Sequence, residues 1–151
     1  MILTGADTIR VVPELPLTGG CLCGGVRFEV TEPLVSAGYC HCTRCRRRTG
    51  TAVSAQARIV PGSLRIVAGE ELVRTYQPAD GFSKSYCSAC GSALWSRSPV
   101  DPETMSVRLG AFDGDPEIRP SYRQFVADAA PWEPIPDDGL PRFPGARSVP
   151  A

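Results

Sequence analysis

Tyr39 to Gly50 reads YCHCTRCRRRTG, and within it Cys40, Cys42 and Cys45 fall in six residues, with the chain's single histidine, His41, between the first two. Arg44 lies inside the same run, and Arg46, Arg47 and Arg48 follow it at once. Thiolates crowded this closely repel one another unless a cation such as Zn²⁺ draws them together, and soft sulfur donors favour zinc or iron-sulfur over hard metals. The stretch therefore reads as half of a metal centre. Cysteines acting as small core hydrophobes would need three coincidences in one short run.

The remaining cysteines form two further groups, Cys21 with Cys23 in GGCLCGG and Cys87 with Cys90 in YCSACGSALW. Seven cysteines divide into four plus three. A structural zinc is closed by four protein ligands, whereas a catalytic zinc takes three and keeps a position for water or substrate. Gly24 follows Cys23 and Gly91 follows Cys90, each permitting a tight turn whose N–H groups point at sulfur, and no glycine follows Cys45. This context favours Cys21, Cys23, Cys87 and Cys90 as a closed structural site and Cys40, Cys42 and Cys45 as an open one. The alternative is a single four-cysteine site with three spectator thiols.

Bulk properties narrow the class. At 151 residues the chain suits one domain. Its 16 basic and 16 acidic side chains cancel, leaving no global field to steer it onto nucleic acid or an anionic membrane. No apolar run approaches the ~20 residues of a spanning helix, and MILTGADTIR lacks the pattern of a secretory signal. The expectation is a cytoplasmic protein, in a compartment where disulfides are rare and an odd number of cysteines favours metal ligation.

Fifteen glycines and fifteen prolines cut the chain into short pieces, the look of an all-β domain. GVRFEV (25–30) alternates Val26, Phe28 and Val30 against Arg27 and Glu29, the period-two pattern of a strand with one buried face. TIRVV, LVSAGY, AVSAQARIV, LRIVAG, ELVRTYQ, SKSYC, SALWSR and MSVRLGAF are further candidates, and together they predict a meandering antiparallel assembly. One helical turn fits between Thr43, as N-cap, and Gly50, where a left-handed C-cap would fall. Residues 1–17 read as an amino-terminal extension and 144–151 as a tail. The proline-rich segment from Pro131 is expected to run extended across the domain and to bury Trp132, Ile135, Leu140 and Phe143.

Three thiolates on zinc leave one negative charge, which Arg44, Arg46, Arg47 and Arg48 would offset, or they would receive the carboxylates of an incoming ligand. In an extended backbone His41 points away from its two cysteine neighbours, which suits a supporting hydrogen bond better than the role of a ligand or proton carrier.

GGCLCGGVRFEV, YCHCTRCRRRTG, YCSACGSALW and APWEPIPDDGLPRF, taken in this order over residues 18–143, resemble the glutathione-dependent formaldehyde-activating enzyme family, the group that includes centromere protein V-like proteins. The resemblance implies an all-β, β-sandwich-like fold of antiparallel sheets stabilised by zinc, like that of methionine sulfoxide reductase B. It implies a carbon–sulfur lyase-type activity joining glutathione and formaldehyde as S-hydroxymethylglutathione. It also implies a structural zinc on Cys21, Cys23, Cys87 and Cys90 and a catalytic zinc on Cys40, Cys42 and Cys45. Pro120-Ser121 and Tyr122-Arg123 stand where histidine is frequent in that family, so His41 is the only imidazole to hand. Two other classes fit the same cysteines: a non-catalytic zinc-stabilised interaction module, and a thiol redox protein with an oxidisable central trio.

Overall fold

Residues 12–147 are described by the structure, a computed structural model. Its strands are β1 (Leu17–Gly20), β2 (Arg27–Val30), β3 (Ser36–Cys40), β4 (Ser54–Arg58), β5 (Leu64–Ala68), β6 (Val73–Tyr76), β7 (Ser83–Cys87), β8 (Ala93–Arg97), β9 (Met105–Arg108) and β10 (Arg123–Gln124). One α-helix, α1 (Thr43–Thr49), lies between β3 and β4. The all-β expectation holds, and the strands build two sheets. A three-stranded antiparallel sheet runs β1-β2-β5, and a seven-stranded sheet runs β10-β3-β4-β9-β8-β7-β6, antiparallel except for the β10–β3 pair. No helix among the described residues is long and apolar enough to cross a membrane.

The core lies between the sheets and follows from strand alternation. On β2, Val26 at its edge, Phe28 and Val30 are fully buried, while Arg27 and Glu29 face partly outward. Phe28 meets Trp95 and Phe112 edge to face at 5.8 and 5.7 Å between ring centroids. From the larger sheet Ala57, Val107, Trp95 and Met105 supply the opposing surface. The register makes these one face, since Ala57 pairs with Val107 and Val107 with Trp95.

The same registers define the other face of the large sheet. Cys40 pairs with Ser54, Gln56 with Arg108, and Lys84 with Ser96, which in turn pairs with Ser106. Ser54, Ser96 and Arg108 on this polar face are nonetheless buried. The helix covers it, because Arg48 of α1 donates to Ser96 Oγ at 2.6 Å. A short helix over a buried polar sheet face is the feature that positions the central cysteines.

Several expectations need correction. TIRVV lies outside the described residues except for Val12, which is in no strand. The N-cap of α1 is Cys42, whose sulfur accepts from Cys45 N at 3.2 Å, and not Thr43; Gly50 does close the helix in the left-handed conformation, at φ 67°. Trp132 is 63 % exposed, while Ile135, Leu140 and Phe143 are only partly buried. The tail is held mainly by polar contacts. Arg123 N donates to Pro141 O and Phe143 N to Arg123 O, at 2.9 and 2.8 Å. The Arg123 guanidinium is anchored on the Asp138 carboxylate at 2.8 Å. Strands β1 and β10 lie outside the expected set, the first because LTGG carries little strand signal and the second because it is two residues long.

Candidate metal centres and the polar face beneath them

Two cysteine clusters form, Cys21 with Cys23, Cys87 and Cys90, and Cys40 with Cys42 and Cys45; within each cluster the sulfurs lie within 4.8 Å of one another. All seven thiols are free. The four-cysteine cluster sits where two hairpin turns meet. Cys21 and Cys23 occupy the turn between β1 and β2, whereas Cys87 ends β7 and Cys90 lies in the turn to β8. Gly24 and Gly91 take φ of 76° and 79°, the left-handed conformation these turns require. Leu22 N donates to Ser92 Oγ at 2.9 Å, tying the turns together. Sulfurs of Cys21 and Cys23 are 3.5 Å apart, and those of Cys23 and Cys87 3.9 Å. A tetrahedron with metal–sulfur bonds of about 2.3 Å has edges of about 3.8 Å, so the donor set fits a tetrahedral thiolate site. Val26 N donates to Cys21 Sγ at 3.2 Å, and the Ser92 hydroxyl, 3.2 Å from Cys90 Sγ, pulls the Cys90 thiol down to about 5.

The second cluster is built by local geometry. Cys40 ends β3, Cys42 caps α1, and Cys45 lies one turn later on the face of the helix that meets the sheet. Among the described residues no fourth cysteine, histidine, aspartate or glutamate joins these three. Sulfurs this close cannot all ionise on their own. Hydrogen bonds among them concentrate the charge: those from Cys40 and then Cys42 pull the Cys45 thiol far down, while those to Cys42 and Cys45, together with burial, push Cys40 far up. The Ser54 hydroxyl and the Arg108 charge help to hold Cys45 as thiolate.

His41 is buried at 4 % exposure and lies outside the cluster. Its Nε2 is 3.2 Å from Arg123 Nη1, and Arg123 also stacks on Tyr39 at 4.3 Å. His41 therefore shares the side of Tyr39, away from Cys40, as strand alternation requires. Burial, Arg123 and Arg142 all lower its pKa, so Nε2 accepts from the guanidinium.

The four arginines of the central stretch divide by contact. Arg44 binds Asp80 through its carboxylate at 2.7 Å and its carbonyl at 2.6 Å. Arg46 donates to Asp128 O at 3.0 Å. Arg48 lies inside, donating to Ser96 Oγ, Ser85 O and Trp95 O at 2.6 to 2.9 Å. The Arg47 side chain has no hydrogen-bond or ion-pair partner among the described residues. With Thr43, Arg46, Gly50, Thr51 and the exposed Trp132, it lines a cleft of about 310 Å³ beside α1.

Sequence reasoning did not find Arg108, Lys84, Ser54 or Ser96. Arg108 is 8 % exposed and donates to Ser54 Oγ at 3.0 Å and Gln56 Oε1 at 2.9 Å. Burial and then Arg48 lower the pKa of Lys84, while Cys45 and Cys42 act in the opposite sense.

Comparisons agree with this architecture. The family model described as "Glutathione-dependent formaldehyde-activating enzyme" matches residues 16–128. A Halomonas elongata protein named "Putative glutathione-dependent formaldehyde-activating enzyme" is 34 % identical over 105 residues, covering 66 % of this chain and 67 % of that protein. A crystal structure of a Rhodobacter sphaeroides protein superposes with a TM-score of 0.54 at 28 % identity, over 84 % of this chain and 99 % of that one. With two cysteine clusters that could each hold a metal ion and a family model spanning both sheets, the chain belongs to the glutathione-dependent formaldehyde-activating enzyme family.

Proposed function

We propose that the chain, through residues 18–143, is a zinc-dependent carbon–sulfur lyase-type enzyme that adds glutathione to formaldehyde, or a similar thiol to a similar aldehyde. The observation that carries this reading is the three-sulfur cluster with no fourth donor among the described residues, in contrast to the four-sulfur cluster, which is complete. Three protein ligands are the pattern of a centre that admits substrate, and four that of a closed structural one. When bound, zinc at the three-cysteine site supplies the Lewis acidity that lowers the proton affinity of a substrate thiol.

In the addition, a sulfur–carbon bond forms, the carbonyl π bond breaks, and the thiol proton ends on the former carbonyl oxygen, so no electrons are gained or lost. Cys40, Cys42 and Cys45 hold the metal. Thr43, next to Cys42, starts the cleft that continues to Arg47 and Trp132. Arg47 receives a glutathione carboxylate through a charge-assisted hydrogen bond, and the Trp132 ring covers the peptide. Held in this way, the thiol meets the aldehyde in one place, which is the proximity contribution to the rate. Arg44, Arg46 and Arg48 act through the frame, each bracing α1 against a different segment. His41 fixes Arg123 and with it the tail that carries Trp132, and the reaction's proton passes through water.

The test is exchange NMR with ¹³C-formaldehyde and glutathione. The zinc-loaded protein should accelerate interconversion of the free aldehyde and the adduct, and Cys42→Ser should return the rate to the spontaneous one. A zinc-loaded wild-type chain that leaves the spontaneous rate unchanged would exclude this function.

A further inference from the structure

Three cations from three different elements converge on the polar face beneath the central cysteines. Arg48 of α1 and Arg108 of β9 both donate to Ser96 Oγ, at 2.6 and 3.4 Å. Lys84 of β7 lies directly across from Ser96 in the β7–β8 register, which places the two Cβ atoms about 5 Å apart. Arg108 reaches the cysteines through Ser54, whose hydroxyl it contacts at 3.0 Å and whose strand partner is Cys40.

Among the described residues every side-chain hydrogen-bond partner of Arg48 and Arg108 is a neutral oxygen. None of the three cations is in an ion pair among the described residues, where the five salt bridges involve Arg27, Arg44, Arg65, Arg119 and Arg123. Arg108 Nε is buried without any partner among the described residues. A buried cation is tolerated only beside compensating negative charge, and the cysteines are its source here. Three thiolates cancel three cations, so a divalent ion between them leaves a surplus of two positive charges. A neutral ligand at the open position would leave that surplus intact, whereas an anion reduces it.

We propose that Lys84, Arg48 and Arg108 make the open position at Cys40, Cys42 and Cys45 an anion-selecting site, taking a thiolate or another small monoanion in preference to a neutral ligand. The inference rests on the reading of that cluster as a zinc site. Arg48 and Arg108 are knotted into the sheet, but the Lys84 side chain makes no hydrogen bond among the described residues, so it is the position where charge can be removed with least disturbance. Lys84→Met keeps the length of the apolar stem, and Lys84→Arg keeps the charge.

The zinc-loaded protein is titrated by calorimetry with thiocyanate, a monoanion, and with imidazole, a neutral zinc ligand. Lys84→Met should weaken thiocyanate about tenfold, the scale of one partly screened charge, and leave imidazole within about twofold; Lys84→Arg should restore thiocyanate. If Lys84→Met folds poorly, Lys84→Gln supplies the same comparison. Equal weakening of both ligands, or of neither, overturns the proposal. Metal content separates the possible failures: a wild-type chain holding one zinc removes the zinc reading of the three-cysteine cluster, whereas two zincs with unchanged anion selectivity remove the charge argument alone.

Discussion

Replacing Cys87 by serine should unfold the domain, whereas replacing Cys42 by serine should leave it folded. Cys23 and Cys87, whose sulfurs touch at 3.9 Å, are 64 residues apart, so a metal held between them closes a long loop. The loop-closure relation for a cross-link gives about 4 kcal/mol for a loop of that length and about 2 kcal/mol for the six residues from Cys40 to Cys45. Cys87 is also fully buried, and a serine hydroxyl left there without its partner costs about 1 to 3 kcal/mol more. The total of about 5 to 7 kcal/mol matches the whole stability of many domains. Cys42, by contrast, caps α1 through its sulfur, and serine is among the best N-cap residues, so Cys42→Ser retains the helix. Chelator titration followed by metal analysis and circular dichroism should show zinc leaving in two stages, the first with no loss of sheet signal and the second coincident with unfolding. Cys42→Ser should show only the second stage. A folded Cys87→Ser protein beside an unfolded Cys42→Ser protein would reverse the two sites and refute the reasoning.

Trp132→Ala should shift stability by no more than about 0.5 kcal/mol, as expected of a side chain 63 % exposed, yet weaken glutathione binding; a melting temperature many degrees lower would mean that the tail depends on the ring. Arg47→Ala should raise the Kd for glutathione about tenfold and leave cysteamine, a thiol without carboxylates, unaffected, and equal loss for both thiols would remove Arg47 from carboxylate recognition. Because burial, then Arg123 and Arg142, lower the His41 pKa, the folded chain binds fewer protons than the unfolded one below about pH 6.5, and stability should fall as the pH drops through that point. His41→Gln should flatten this slope in denaturant titrations over about pH 5 to 7.5, and an unchanged slope would show that His41 is not its source.

How much of the site could be read from the chain depends on what alternation does and does not encode. The cysteines were legible because sulfur spacing is a local signal, and the glycines after Cys23 and Cys90 pointed to the turns that carry them, as φ near 76° and 79° bears out. Strands β2 to β9 were legible because a strand signal survives in four or five residues. Alternation separates two faces without saying what lies over either. In SAQAR, MSVR and SALWSR the polar positions Ser54, Gln56, Arg108 and Ser96 read as a solvent face, but α1 lies across them and turns them into the floor of the thiol cluster. A seven-residue helix has too few side chains to show in sequence which surface it covers. The basic run therefore drew attention to Arg46, Arg47 and Arg48 as one group, although Arg48 points inward to Ser96 while Arg47 faces the cleft beside Trp132. The charge reckoning changes accordingly. With the cysteines and a metal alone the open centre would be negative and resist an anion; with Lys84 and Arg108 added to Arg48 from strands far along the chain, the same centre would favour one.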